Sequence, residues 1–178
     1  YLCDQGADKE ARGDDDWTLL HLAACNGHVP VVQYLCEQGA DKEARDVDGR
    51  TPLHRAADHG RLPVVQYLCE QEADKEARDA LYKRTPLHRA ALNGHLPVVQ
   101  YLYEQEADKE ARDEGGNTPL HTAADKGHLP VVQYLCEQGA DKDARNEGGN
   151  TPLHEAAYNG HLPVVQYLCE QGADKEAR

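Results

Sequence analysis

The histidines and cysteines are the side chains of this sequence best suited to chemistry, and there are ten and six of them in 178 residues. Both residue types bind zinc, and a histidine beside a cysteine can activate the thiol as a nucleophile. Either role requires the side chains to converge within a few ångströms. Their spacing along the chain therefore decides whether they can act together.

The spacing is periodic, because nearly all of these residues recur at fixed positions about 33 residues apart. Histidines that end a TPLH or TLLH tetrapeptide are His21, His54, His88, His121 and His154; those that follow a glycine are His28, His95, His128 and His161; the recurring cysteines are Cys3, Cys36, Cys69, Cys136 and Cys169. Side chains one repeat apart do not converge, so we predict structural histidines and no catalytic set, metal site or cofactor.

The recurring cysteines are also poorly spaced for disulfides. Stacked helices lie roughly 8–10 Å apart, whereas the Cα atoms of a disulfide lie within about 7 Å. We therefore interpret them as small buried side chains of a protein from a reducing compartment. Cys25 stands outside the series and is the candidate for an exposed thiol.

Each repeat has the local chemistry of two short helices. Thr51 is a good N-cap, Pro52 suits the first helical position and Gly60 ends the helix. Pro63 starts a second helix, in which the string PVVQYL places its apolar residues at helical spacing. Neither helix can bury its apolar face alone, so neighbouring repeats must supply the core.

The pattern DxxGxTPLHxAAxxGHxxVVxxLxxxGAD, which runs through essentially the whole chain, resembles the ankyrin repeat. The resemblance implies an all-α solenoid of stacked helix-turn-helix units with β-hairpin loops, or fingers. Fingers and first helices would line a concave binding face. We expect a single domain over 1–178, with a partial repeat at 1–12 and full repeats at 13–45, 46–78, 79–112, 113–145 and 146–178. These full repeats are called repeats one to five below.

Differences between the copies cluster at the finger tips, before the Thr, after the His and before the helix-ending Gly. Because outer positions such as Gln33 and Glu37 are nearly fixed, we interpret the clustered positions as a partner-binding surface. The candidates are Asp14, Asp15, Trp17, Leu22, Val47, Asp48, Arg50, Arg55, Asp58, His59, Leu81, Tyr82, Lys83, Arg84, Arg89, Leu92, Glu114, Asn117, Thr122, Asp125, Lys126, Glu155 and Tyr158.

The finger of repeat three is one residue longer than the others and reads ALYKR over 80–84. Tyr and Arg are enriched at binding hot spots, which favours a contact with the partner through Tyr82 and Arg84. The alternative is a tolerated loop insertion, since surface loops accept extra residues at little cost.

Charge narrows the class of partner. The chain has 19 Lys and Arg against 32 Asp and Glu, a formal net charge of −13, which argues against nucleic acid. Variable positions of repeats two and three are mainly cationic, whereas those of repeats one, four and five are acidic. A protein partner with an acidic central patch would suit this distribution. No apolar run is long enough to cross a membrane.

The sequence thus indicates a non-enzymatic protein-binding module, and the near-identity of the copies resembles an engineered or library-derived scaffold. The alternatives are an interaction domain of a larger natural protein and the targeting domain of an enzyme whose catalytic part is missing. With no secretion signal, we expect cytoplasmic or recombinant expression. The last helix matches the internal ones, so we expect that capping sequence is missing or that the ends associate with another molecule, including a second copy.

Overall fold

A computed structural model describes residues 12–174, and within this range the chain forms ten α-helices in five pairs. Their bounds are Leu19–Asn26 (α1), Val29–Glu37 (α2), Pro52–Asp58 (α3), Leu62–Glu70 (α4), Pro86–Leu92 (α5), Leu96–Glu104 (α6), Pro119–Asp125 (α7), Leu129–Glu137 (α8), Pro152–Tyr158 (α9) and Leu162–Glu170 (α10). A 3₁₀ turn covers Asp14–Asp16. Each second helix starts one residue before the proline that was expected to begin it.

The helices stack as the all-α solenoid prediction requires. First helices contact one another along the row α1–α3–α5–α7–α9, second helices along α2–α4–α6–α8–α10, and each helix contacts its partner in the pair. The fingers are hydrogen-bonded turns, such as the one closed by Asp46 N–H and Arg50 O at 3.1 Å. Over 12–174 the only β-type pairing is an isolated bridge between Arg12 and Thr18. Cys3 and nearly all of the partial repeat lie outside the described residues, and the repeat boundaries stay a prediction.

The Thr-x-x-His sequence caps each first helix and also joins it to the next repeat. The Thr51 N–H donates to Nδ1 of His54 at 3.2 Å, and the His54 N–H donates to the Thr51 hydroxyl at 3.4 Å. These are the reciprocal bonds of a capping box, with His at the position usually held by Glu or Gln. Because Nδ1 accepts, Nε2 carries the proton and donates to the Arg84 carbonyl at 2.9 Å. The structural role predicted for the tetrapeptide histidines is therefore confirmed for His54.

The same inter-repeat bond recurs along the stack. His21 bonds the carbonyl of Arg50, His88 that of Asn117 and His121 that of Asn150, at 2.9–3.1 Å. The histidines after the glycines point the other way, toward the preceding repeat: His95 bonds Asp58 O, His128 bonds Leu92 O and His161 bonds Asp125 O. Repeat two has Arg61 at this position, and its guanidinium donates to Cys25 O instead.

Glycine ends the first helices for two physical reasons. Gly60 has φ of 67°, in the left-handed region, and a Cβ there would lie 2.6 Å from the His95 ring. A glycine with positive φ also follows the second helices α2, α8 and α10, such as Gly139 after α8, but α4 and α6 lack a glycine there. Glu72 and Glu106 adopt φ of 61° and 63°, as expected from their alignment with glycine, and a non-glycine residue pays on the order of 1 kcal/mol for that backbone.

The core is a repeating layer of small and branched apolar side chains. In repeat three, Leu87, Ala90 and Ala91 of α5 and Val99 and Leu102 of α6 are fully buried. Alanine lets the first helices of adjacent repeats approach closely, and the second helices contribute the larger residues. This layer continues through every described repeat, so each repeat completes the core of its neighbours.

The ADKEAR loops hold neighbouring repeats together. The Glu43 carboxylate accepts from the Asp74 N–H at 2.9 Å, Lys42 donates to the Gln71 carbonyl, and Arg45 donates to the Arg78 carbonyl at 2.7 Å. These residues are nearly invariant between the copies because each charged side chain bonds a backbone group of the next repeat.

The cysteines within the described residues are free thiols that are partly buried. Burial raises the pKa of Cys69 and Cys136 to about 11 and also raises the pKa of Cys25. These thiols stay protonated at neutral pH. The side chain of Cys25 is partly buried, and its Sγ lies 3.5 Å from Nε2 of His59. Cys25 is therefore less exposed than expected.

Candidate protein-binding surface

The candidate residues of the sequence analysis are here called the variable surface, and they differ widely in exposure. Several project large side chains into solvent: the exposed fractions are 45% for Leu22, 61% for Val47, 50% for Leu81 and Tyr82, and 89% for Tyr158. Arg55, Arg89 and Thr122 are at most 7% exposed. The side chain of Asp14 lies outside the described residues. Part of the variable surface is therefore packed against the rest of the protein.

Repeats one and two meet in a cluster around Arg55. Its Nε donates to the Asp46 carboxylate at 2.8 Å, and its NH2 lies 3.3 Å from Asp48. The guanidinium carbon stacks 4.3 Å from the centre of the Trp17 ring, within cation–π distance. Trp17, Arg55 and Asp48, predicted from sequence as separate variable positions, are thus brought together.

A second cluster joins repeats two and three through Asp58. Its carboxylate lies 4.0 Å from both Arg50 and Arg89. Arg89 also donates from Nε to the fully buried Asp79 at 3.0 Å. Burial raises the pKa of Asp79, but hydrogen bonds from the Tyr82 N–H and from Arg89 outweigh it and lower that pKa overall. Asp79 is therefore ionised at neutral pH and anchors both the finger and the first helix.

Arg50 is the least satisfied member of this cluster. Its NH1 lies 3.4 Å from Asp48, yet its Nε is buried with no hydrogen-bond partner within the described residues. Burial lowers the pKa of Arg50, and the neighbouring Arg89 and Arg55 guanidinium groups lower it further. An arginine keeps its proton in proteins regardless, so Arg50 contributes a positive charge that is only partly compensated.

The long finger of repeat three is anchored by Arg84. Its Nε donates to Asp113 at 3.1 Å, and its guanidinium carbon lies 4.9 Å from the centre of the Tyr82 ring. Lys83 has φ of 55°, at the place where other fingers use left-handed glycines such as Gly49 and Gly116. The longer finger thus keeps a left-handed residue at this place and displays Leu81 and Tyr82 on its exposed tip.

A polar pocket of about 240 Å³ lies farther along the variable surface, across repeats three to five. Its lining residues are Arg84, Asn117, His121, Thr122, Asp125, Asn146 and Glu155. Five of these seven were candidates from the sequence, and the fold brings them together. Thr122 occupies the position held by Arg55 and Arg89 in earlier repeats, so a short side chain replaces a long one.

Ion pairing changes the charge expected for the middle repeats. Arg50, Arg55, Arg84 and Arg89 all lie within 4.0 Å of a carboxylate. The partners include Asp46, Asp79 and Asp113, which are buried and which the sequence analysis did not single out. Their signal was present in the sequence, because each follows an Ala-Arg at the start of a finger. Repeat five has Asn146 there instead.

His59 does not join the other histidines. Its Nδ1 lies 3.0 Å from the Arg55 carbonyl, and its Nε2 faces Cys25. Over residues 12–174 no group of three or more His, Cys, Asp or Glu side chains has metal-binding geometry. Within the same range, no helix combines the length and the apolar character needed to span a bilayer.

The comparison with protein families identifies the chain. The model for ankyrin repeats in three copies matches residues 1–79 and 87–178. This protein therefore belongs to the ankyrin repeat family, whose members are in general protein-interaction modules. A comparison with curated proteins found no match.

Proposed function

We propose that this chain is a non-enzymatic module that binds a partner protein through its variable surface, on the concave side of the stack. One observation carries the proposal: the differences between copies fall on a row of residues linked by contacts. Trp17 touches Arg55, and Asp58 lies close to Arg50 and Arg89. The residues that line the polar pocket continue this row through repeats four and five. By contrast, His54 and Glu43, which bond backbone groups of the adjacent repeat, belong to positions that hardly vary.

Exposure separates the variable surface into two roles. Arg55, Arg89 and Thr122 are buried and shape the surface. The side chains that protrude, above all Tyr82 and Tyr158, would contact the partner. Aromatic side chains supply large contact areas at low entropic cost, so these two are the hot spots that we expect.

The test is a binding measurement on the full chain. Partners isolated by affinity purification and identified by mass spectrometry would be titrated against the wild type, Tyr82→Ala and Tyr158→Ala. We expect each substitution to weaken binding about tenfold or more. Gln33→Ala and Glu37→Ala, on exposed outer positions, are the matched controls and should leave affinity unchanged. Equal effects of the two sets would show that the partner binds elsewhere.

The acidic central patch suggested for the partner stays a prediction. The arginines on which it rests are paired with carboxylates of the same chain, which reduces the positive charge offered to a partner. An engineered origin also stays a prediction, beside the alternatives of a natural interaction domain and of an enzyme's targeting domain. The coding DNA separates them, because designed repeats share optimised codons and natural duplicates sit within a longer reading frame.

We propose in addition that the two ends of the stack can associate with a second copy. Val31 is 47% exposed, whereas its equivalents Val64 and Val98 are at most 1% exposed. At the other end Leu162 is 61% exposed and Ala157 is also exposed. Joining these two faces would repeat the packing already present between internal repeats.

Sedimentation velocity over a concentration series tests the end-to-end contact. We expect the average mass to rise with concentration and to return to that of a monomer in Val31→Glu. Tyr82→Ala, on the exposed finger of a central repeat, is the control that should still associate. A monomer at all concentrations would exclude the end-to-end contact without affecting partner binding.

A further inference from the structure

We propose that the polar pocket of repeats three to five binds the guanidinium group of an arginine side chain on the partner. The inference rests on the proposed protein-binding function and names the chemistry recognised at one point of that surface.

The protein already binds two of its own arginine side chains between carboxylates of the variable surface and the fingers. In repeat three, the guanidinium of Arg89 lies between Asp79 of its own finger and Asp58 of the preceding repeat. In repeat two, Arg55 is held by Asp46 and Asp48. The variable surface therefore already accommodates a guanidinium between carboxylates in two consecutive repeats.

Repeat five reverses the charge at this position. Glu155 occupies the place of Arg89, and Asp125 occupies the place of Asp58. Two carboxylates thus line the pocket where the earlier repeats pair a carboxylate with a cation. Glu155 Oε1 accepts hydrogen bonds from the side-chain amides of Asn146 and Asn150, at 3.0 and 3.1 Å. Neither donor carries a positive charge, so the charge of Glu155 is not compensated by these bonds.

Space for a side chain comes from Thr122. Its hydroxyl donates to the Pro119 carbonyl at 2.8 Å, which folds this short side chain onto its own helix. Arginine stands at this position in repeats two and three. The resulting pocket of about 240 Å³ is large enough for a guanidinium group with part of its stem.

Two cations near the pocket have to be considered. Arg84 lines it, but its Nε is bonded to the Asp113 carboxylate at 3.1 Å, and Asp113 offsets its charge. Lys126 forms an ion pair with Asp125, in which Nζ lies 3.0 Å from the carboxylate. The lysine side chain is 53% exposed. Exposed pairs of this kind contribute about 0–1 kcal/mol, so an entering guanidinium can displace Lys126. Bidentate pairing with a carboxylate also favours arginine over lysine as the occupant.

The experiment is an NMR titration of the ¹⁵N-labelled full chain with N-acetyl-arginine amide. The uncharged N-acetyl-citrulline amide, of nearly the same shape, is the control ligand. We expect saturable shifts at the amides of Asn117, Thr122 and Glu155 with an affinity of about 1 mM, and much smaller shifts with citrulline. Equal responses to the two ligands would overturn the proposal.

Variants that are expected to weaken or to tighten arginine binding extend the test. Glu155→Gln and Asp125→Asn keep the shape and should each weaken arginine binding about tenfold. Glu147→Gln, at an exposed finger tip, is the matched control and should have no effect. Lys126→Gln removes the ion pair at Asp125 Oδ2 and leaves the Asn159 amide on Oδ1, so it should tighten binding about two- to fivefold. Spectra that are unchanged outside the pocket would confirm that each variant is folded. Equal weakening by Glu147→Gln and Glu155→Gln would mean general charge attraction and no pocket.

The two proposals can fail separately. If arginine does not bind but Tyr82→Ala and Tyr158→Ala abolish partner binding, only the pocket is wrong. Arginine could instead bind with the expected variant effects while Tyr82→Ala and Tyr158→Ala leave partner binding unchanged. In that case the assignment of the partner surface is wrong, and the proposal for the pocket still holds.

Discussion

The first helices of repeats three and five, α5 and α9, have the same length but use one position in opposite ways. In repeat three, Arg89 is buried against Asp79, and the pair ties the helix to its finger. In repeat five, Glu155 is only partly buried and bonds Asn146, which replaces the buried aspartate. Equal spacing in the sequence therefore does not imply an equal role. A change of charge at two linked positions converts an internal ion pair into a surface open to a ligand.

The largest effect that we expect comes from the buried histidines, which are most strongly perturbed in the middle repeats. Burial lowers the pKa of His54 and of His88 from 6.5 to about 4. The unfolded chain thus binds more protons, so the stability due to neutral histidine is complete above pH 6.5 and is lost as the pH falls toward 4. Protonation would also place a proton on Nδ1, which accepts the N–H of the capping threonine. We expect a loss of about 2–3 kcal/mol per histidine between pH 7.5 and pH 4.5, and therefore about 4–6 kcal/mol for His54 and His88 together.

Urea unfolding at the two pH values measures this loss. His88→Gln is the control, because glutamine can complete the capping box without titrating in this range. Its pH dependence should be smaller than that of the wild type by the share of one histidine. A wild-type and a His88→Gln protein with the same pH dependence would contradict the explanation.

The ion pair of repeat three can be compared directly with its counterpart in repeat five. Asp79→Ala leaves the buried Arg89 guanidinium without its carboxylate and also removes the acceptor for two finger N–H groups. Breaking a buried pair in this way costs about 3–5 kcal/mol. Asn146→Ala at the equivalent position removes side-chain hydrogen bonds but breaks no ion pair, and should cost about 1–2 kcal/mol. Equal losses of unfolding free energy in the two variants would contradict the view that the ion pair of repeat three contributes more to stability than its counterpart in repeat five.

The ends of the second helices provide a smaller comparison. Glu106→Gly should stabilise the protein by about 1 kcal/mol, because glycine adopts the left-handed backbone without strain. Gly139, at the equivalent place in repeat four, has φ of 75°, so Gly139→Glu should destabilise by a similar amount. Thermal unfolding of both variants checks the signs. A stabilising effect of Gly139→Glu would show that a side-chain contact outweighs the backbone strain at these positions.

The smallest effect is expected at the most exposed residue. Tyr158 is 89% exposed, so Tyr158→Ala should change the unfolding free energy by no more than about 0.5 kcal/mol. The same substitution is expected to weaken partner binding. A large loss of stability would place Tyr158 in the fold and remove it from the binding surface.

Much of the architecture could be predicted from particular residues. Thr51, Pro52 and Gly60 act through the local backbone, so their effect on the helix can be read without tertiary information. The left-handed conformation of Glu72 and Glu106 was predictable for the same reason. The partner-binding residues remain a prediction, because the role of a side chain such as Arg55 depends on what lies beside it.

By itself, the sequence determined the period, the helix pairs and the family, since capping, helical spacing and turn formation act within a few residues of the chain. Only the tertiary structure decided which variable residues are available. Arg89 and Asp79 are ten residues apart, and Arg84 and Asp113 are 29 apart. Whether such charges meet depends on how each finger folds against its own helix and on how adjacent repeats stack. Stacking buried Arg55 and Arg89 against carboxylates, left Tyr82 and Tyr158 in solvent and brought Asp125 and Glu155 to one pocket.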